Sequence, residues 1–148
     1  MVKEWAPITW ILFHTIAEKC NPHNYSNNRT ILLKIIKEIC SKLPCPECRF
    51  HAVQYMKKIN VGHIPTKNDF IKVIFNFHNN VNKRLKKPIY NFGDLDKYRR
   101  ANYINILKKF NYMWVSNSAS RILSDQMTRR IMLKSIIKDL LNKNIISY

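Results

Sequence analysis

The sequence predicts an all-α protein. Three observations carry that expectation. Apolar residues recur at helical spacing along most of the chain, no segment alternates convincingly enough for a strand, and prolines punctuate the periodic stretches rather than interrupt them. Four or five short helices are expected, followed by a helical C-terminal extension. Residues 1–105 are expected to form one domain and residues 106–148 a basic extension.

The elements follow in order. Trp10, Leu12, Phe13, Ile16 and Ala17 form a first helix behind Pro7, which suits a first turn because its missing N–H costs nothing there. A polar run from Asn21 to Asn28 breaks the pattern. Ile31, Leu32, Ile35, Ile36, Ile39, Cys40 and Leu43 then make one stripe, with Lys34, Lys37, Glu38, Ser41 and Lys42 opposite, which describes an amphipathic helix. Pro44 closes it and Pro46 opens a third helix running to about Lys58. Gly62 and Pro65 mark a loop, and Thr66 with Asp69 resembles a capping box. Phe70, Val73, Ile74, Phe77, Val81 and Leu85 form the next stripe, ended by Pro88. A shorter helix is expected over Asp94 to Lys108, a loop over Asn117 to Ser120, and a last helix over Ile122 to Leu141.

Composition excludes several classes. The chain has 148 residues and a formal charge of +17, and its 46% hydrophobic content is too high for a disordered basic tail. With two glycines it holds neither a P-loop nor a Rossmann fingerprint. No apolar run approaches the ~18 residues of a membrane span, and the start does not read as a signal peptide. Ile, Asn and Lys dominate, all with A/T-rich codons, so much of the lysine excess reads as solvated helix surface. A nucleic-acid-binding role is therefore a secondary reading. It rests on ten Lys and Arg in residues 99–148 against Asp125 and Asp139. The aromatics Tyr103, Phe110, Tyr112 and Trp114 could stack on bases, but at helical spacing they read better as core.

Four cysteines, Cys20, Cys40, Cys45 and Cys48, carry the chemistry. In Leu43-Pro44-Cys45-Pro46-Glu47-Cys48-Arg49-Phe50-His51, Pro46 at the first helical position puts Cys45 at the N-cap. Exposed backbone N–H groups and the helix dipole favour a thiolate there. Arg49 adds positive charge and Glu47 opposes it. The spacing suits a redox-active pair with one sulfur exposed and one tucked beneath. Three other readings stay open: half of a zinc site completed by His51 and His63, a thioredoxin-like motif, which lacks its βαβ context, and two ordinary reduced cysteines. Cys40 reads as a small buried apolar residue. Cys20 is left between burial and an intermolecular bridge.

Three ordered motifs add specificity: Trp5-Ala6-Pro7-Ile8-Thr9-Trp10-Ile11-Leu12-Phe13-His14-Thr15-Ile16-Ala17, then Cys45-Pro46-Glu47-Cys48-Arg49-Phe50-His51, then Phe77-His78-Asn79-Asn80-Val81-Asn82-Lys83-Arg84-Leu85-Lys86-Lys87-Pro88. Together they resemble the Erv/ALR family of FAD-linked sulfhydryl oxidases, in a short form similar to those of large DNA viruses, over about residues 5–100. The resemblance implies a four-helix bundle plus a short fifth helix, with FAD among the helices and homodimers formed through the first two. It implies Cys45 as the entry sulfur and Cys48 beside the flavin. It carries cofactor contacts onto Pro7, Trp10, His14, Cys48, His51, His78, Asn79, Val81, Asn82, Lys83, Lys86, Lys87 and Tyr98, with the three lysines meeting the pyrophosphate and no metal. It further implies a thiol protein substrate, expected here to be a small redox carrier, with dioxygen as acceptor and hydrogen peroxide as product. Host cytoplasm or virion is the compartment it suggests. Two departures stand out. Ala6 replaces a frequent family glycine, and no cysteine follows Cys48, so neither a second structural disulfide nor a shuttle pair is present in this sequence.

Overall fold

The computed structural model describes residues 5–116 and 123–148. Their helices are α1 (Trp5–Lys19), α2 (Tyr25–Cys40), α3 (Pro46–Lys57), α4 (Lys67–Arg84), α5 (Tyr103–Ser116) and α6 (Leu123–Leu140), with 3-10 segments at Val61–His63 and Phe92–Arg100. Among the described residues there is no strand, only an isolated backbone bridge between Cys20 and Ile146. The all-α expectation holds. The loop expected over Asn117 to Ser120, and Ile122, lie outside the described residues.

Helix α1 is the axis of the molecule. Helix α4, helix α5 and the Phe92–Arg100 segment all pack against it, while α2 pairs with α3. Leu12, Phe13 and Ile16 of α1, Leu32, Ile36 and Ile39 of α2, and Phe70, Ile74 and Phe77 of α4 are all but fully enclosed. Each such side chain contributes about 1.5–3 kcal/mol of transfer free energy. Tyr25 extends this core into the loop ahead of α4, where its buried hydroxyl donates to the Ile64 carbonyl at 2.8 Å.

The helix ends show local sequence at work. At the start of α4 the Asp69 N–H donates to Thr66 Oγ1 at 3.2 Å and the Thr66 N–H to Asp69 Oδ2 at 3.1 Å, the reciprocal box expected from the Thr-x-x-Asp spacing. The other end is less orthodox. The Lys87 N–H donates to the Asn82 carbonyl at 2.8 Å and the Lys86 N–H to that of Lys83 at 3.2 Å, with Lys86 at φ 57°. This is a Schellman stop in which lysine occupies the left-handed position that glycine fills without strain. It bunches Lys83, Lys86 and Lys87 at one corner.

One expectation needs correction, and one open alternative is decided. The single helix over Asp94 to Lys108 is instead a run of 3-10 turns to Arg100, a break, and α5. The cause is local. Ala101 is extended at ψ 145°, and Asn102 Oδ1 caps the new helix by accepting the Asn105 N–H at 3.1 Å. Cys20 is fully buried, under a C-terminal tail whose Ile145 carbonyl accepts the Asn21 N–H at 2.8 Å. Burial pushes its thiol up to about 11, so the intermolecular bridge left open for it has no exposed sulfur to use. Cys40 is buried as expected, its thiol pushed by burial up to about 12.

The C-terminal segment folds back as an integral layer. Trp114 is 1% exposed and donates from Nε1 to Thr9 Oγ1 of α1 at 2.8 Å. Tyr103 OH donates to the Leu140 carbonyl of α6 at 2.8 Å. Asn28 Nδ2 of α2 donates to the Asn144 carbonyl at 2.7 Å. Position 105, the expected domain boundary, lies inside α5.

Candidate functional site

Two features are joined through α3 and α4: a cysteine pair at a helix start and a stack of aromatic and imidazole rings. Cys45 is the N-cap of α3 and Pro46 its first residue, as the sequence leads one to expect. Cys45 Sγ accepts the Cys48 N–H at 3.3 Å, in the place where an oxygen cap normally sits. Both cysteines are half-buried against the core. Anionic sulfur at Cys45 would be held by the first-turn N–H groups and the positive helix end.

The ring stack begins at α3. Tyr55 lies seven residues beyond Cys48, hence on the same helix face, and stacks on Phe77 of α4 at 4.9 Å and 17°. Phe77 meets Trp10 of α1 edge-on at 5.0 Å. Trp10 lies flat on His78, centroids 4.1 Å apart and planes 5° apart. His14 closes the group through a 2.7 Å contact between its Nε2 and His78 Nδ1, and its ring stacks on Tyr98 at 4.9 Å. Trp10 and His14 do share a helix face, but the ring packed flat against Trp10 is His78, contributed by α4.

The electrostatics of this stack are unusual. Burial drives the His14 imidazole down to about 3, helped by His78 and Lys97. Burial also drives His78 down to about 4, helped by Lys87 and Lys97. One proton fits between two nitrogens 2.7 Å apart, so the pair is neutral at ordinary pH, with one ring donating and the other accepting. Lys97 lies 5.1 Å above the Tyr90 ring and 5.3 Å above Tyr98, and donates to Tyr90 OH at 2.6 Å. The result is a flat, aromatic, uncharged ring stack with cations at its edge.

The other expected residues separate into groups. Asn82 is buried on α4 and Tyr98 is buried in the Phe92–Arg100 segment. Lys83, Lys86 and Lys87 are exposed at the stop of α4, as is Pro7 on α1, while Val81 is half-buried. His51 is half-buried, with the Phe50 ring edge-on at 5.6 Å. Asn79 plays a structural part. Its Nδ2 donates to the Tyr90 carbonyl at 3.1 Å and its Oδ1 accepts the Tyr90 N–H at 2.8 Å. That clamp returns the chain after Pro88 to the stack, where Tyr90 lies 5.1 Å from His78 and 6.0 Å from His14. Tyr55, Tyr90 and Lys97 were not singled out from sequence. Tyr90 lies beyond Pro88, where helical periodicity gives no guide.

Competing readings lose ground on the same geometry. Among the described residues no three His, Cys, Asp or Glu side chains gather as metal ligands, and His63 Nδ1 accepts the Asn60 N–H in a local cap at 3.1 Å. Tyr103, Phe110 and Trp114 are core, leaving Tyr112 exposed for base stacking. No helix among the described residues is long and apolar enough to cross a membrane. A surface groove of about 470 Å³ beside Lys34, Lys37 and Val61 carries none of the cysteines or histidines.

A sequence profile described as the Erv1 / Alr family matches residues 7–103, from the Trp10 turn through the Tyr98 segment. The chain belongs to the Erv1/Alr family. An African swine fever virus protein (isolate Pig/Kenya/KEN-50/1950) named FAD-linked sulfhydryl oxidase is 32% identical over 108 residues, 73% of this chain and 87% of its own. A second, from isolate Tick/Malawi/Lil 20-1/1983, carries the same name and is 30% identical over 104 residues, 70% of this chain and 87% of its own. An Invertebrate iridescent virus 3 protein provisionally given that name is 33% identical over 87 residues, 58% of this chain. The chain spans 59% of the length of that iridescent-virus relative. No solved structure matches the chain. The Erv1/Alr match ends at the first residue of α5, so α6 and the tail are additions to the family segment.

A dinucleotide cofactor needs flat apolar faces for its rings and cations for its pyrophosphate. The neutral His14–His78 pair, Trp10 and Tyr98 supply the first. The charges of Lys87 and Lys97, felt at His78, supply the second. The residues present therefore fit FAD.

Proposed function

We propose that this Erv1/Alr chain is a FAD-dependent sulfhydryl oxidase that forms disulfides in a thiol-bearing protein substrate through Cys45 and Cys48. The observation that carries this is the Cys45–Cys48 pair at the α3 start, joined through Tyr55 and Phe77 to the Trp10–His78 stack. Trp10, His14, His78, Asn82 and Tyr98 would hold the rings, and Lys83, Lys86 and Lys87 the phosphates. When bound, FAD supplies acceptance of two electrons from a dithiol and their delivery to dioxygen, giving hydrogen peroxide.

The chain's own part is thiol–disulfide exchange. A substrate thiolate attacks Cys45 Sγ of the oxidised pair, forming a mixed disulfide and releasing Cys48 as thiolate. A second substrate thiolate attacks the substrate sulfur of that bond, which closes the substrate disulfide and frees Cys45. The helix start holds the charge left on sulfur, and the neutral imidazoles keep competing positive charge out of the ring stack.

Residues 1–105 provide the cofactor-binding unit in this reading, with residues 106–148 packed onto it. A homodimer formed through the first two helices would use the exposed side of α2, which bears Ser26, Asn27, Thr30 and Lys34. The virus-encoded relatives favour host cytoplasm or virion as the compartment. Oxygen uptake on adding a dithiol, abolished in Cys48→Ser, is the expected result. No uptake by flavin-loaded protein contradicts the reading.

A further inference from the structure

Helix α3 buries one face and leaves another bare. Phe50 is 61% exposed and Val53 36%, both within the first two turns or so of α3 after Cys45. With Pro46, Arg49 and Gln54 they line a groove of about 270 Å³. Residues 46, 49, 50, 53 and 54 share a helix face, so the groove starts at the residue after the entry sulfur and runs along α3. An exposed phenylalanine and valine beside a reactive thiol are costly to leave in water unless something covers them in use.

The groove also has a sign. None of its lining residues is acidic, and Glu47, three residues before Phe50 and seven before Gln54, is exposed at the edge away from Arg49. Arg49 is fixed by a 3.1 Å bond from its Nε to the Leu43 carbonyl. Near it is Arg129 of α6, 2% exposed, whose Nε and Nη2 have no hydrogen-bond partner among the described residues. Burial and the nearby Arg49 both work against its charge, while Asp125 supports it. Asp125 is the carboxylate that supports Arg129, and Glu47 the one nearest Arg49 along α3, in a chain of net charge +17. Arg49 therefore puts a positive charge on the groove wall.

We propose that this groove is the docking site for the thiol substrate, and that the segment it takes carries a large apolar side chain and a carboxylate close to its reactive cysteine. The apolar group covers Phe50 and Val53, and the carboxylate meets Arg49, with Arg129 as a fixed charge near it. This rests on the oxidase reading and names the substrate class of that site. The extension helix α6 then acquires a role in selecting substrates through Arg129.

The test uses the full-length, flavin-loaded chain and three short synthetic peptides. Each contains a Cys-x-x-Cys pair, flanked by Phe and Glu, by Phe and Lys, or by Ser and Glu. Binding is read by fluorescence anisotropy on versions with serine in place of cysteine, so it does not depend on turnover. Oxidation of the cysteine versions is followed separately as kcat and KM. The Phe/Glu peptide should bind about tenfold more tightly than either control, with the gain appearing in KM. Phe50→Ser should erase the preference for Phe, and Arg129→Met should weaken the preference for Glu. Added salt should weaken that second preference as well. Equal binding of the three peptides, or a preference that survives Phe50→Ser, overturns the proposal. So does a dimer that Phe50→Ser dissolves, since the groove would then belong to a second copy of the chain. Selective binding without oxidation leaves the groove standing and overturns the oxidase reading. Oxidation without selectivity does the reverse.

Discussion

The ring stack between α1 and α4 and the first turn of α3 are built to opposite specifications. The stack is dry and neutral: His14 is 2% exposed and His78 8%, and burial strips both of charge. The α3 turn is half-open and cationic, with Cys45 capped by its own helix and Arg49 alongside. One region is suited to hold a flat redox cofactor away from water, the other to admit and hold anionic sulfur. The two meet through Tyr55 and Phe77. Division of labour between a rigid dry site and a wet charged one is the lesson of the difference.

That comparison can be broken from either side. The largest effect should come from Cys48→Ser, which removes the proposed exchange partner of Cys45 and should cut oxygen uptake by at least about a thousandfold. Its melting temperature should stay close to wild type, because the stack is untouched. Uptake within about tenfold of wild type would separate the α3 turn from the chemistry.

Acid attacks the stack instead. Unfolded histidines take up protons near pH 6.5, while the folded pair refuses them until about 4 and 3. Stability contributed by the pair is therefore intact above pH 6.5 and lost as pH falls from there towards 3. At about 1.4 kcal/mol per unit, about 3–6 kcal/mol should disappear by about pH 4. Urea unfolding from about pH 7.5 down to about 4 measures it, and His14→Gln should flatten the slope. An unchanged slope in that variant would put the acid sensitivity elsewhere.

Trp114→Ala should cost about 3–5 kcal/mol, through a cavity under α5 and the lost bond to Thr9. If it costs less than about 1 kcal/mol, the C-terminal layer is not a support for α1. The smallest effect is at the α4 stop. Lys86→Gly should relieve the left-handed strain and stabilise the fold by about 1 kcal/mol, seen as a higher urea midpoint at unchanged slope. The same change should loosen flavin retention if Lys86 meets the phosphates.

Where packing and capping are local, the sequence was readable. The α4 start follows from Thr66 and Asp69, and the α3 start from Pro46 after Cys45. The break at Ala101 was not readable, because a run of 3-10 turns keeps an apolar stripe close enough to helical spacing to pass for one helix. Tyr90 and Lys97 join the stack through the Asn79 clamp, a bond between side chain and distant backbone that leaves no periodic trace. Arg129 looked like one more surface cation among the ten of residues 99–148. Its burial comes from α6 folding back onto the rest of the chain, a tertiary event that charge counting cannot register.

The central claim is that the neutral ring stack and the Cys45–Cys48 pair form one electron-transfer unit. An absorption spectrum of the purified chain, taken before and after anaerobic addition of dithiothreitol, tests it most directly. The expected result is one FAD per chain whose visible band bleaches within the turnover time and returns on admitting air, while Cys48→Ser binds FAD but does not bleach. A chain that remains colourless after incubation with FAD, or a flavin that bleaches equally fast in Cys48→Ser, would contradict the account.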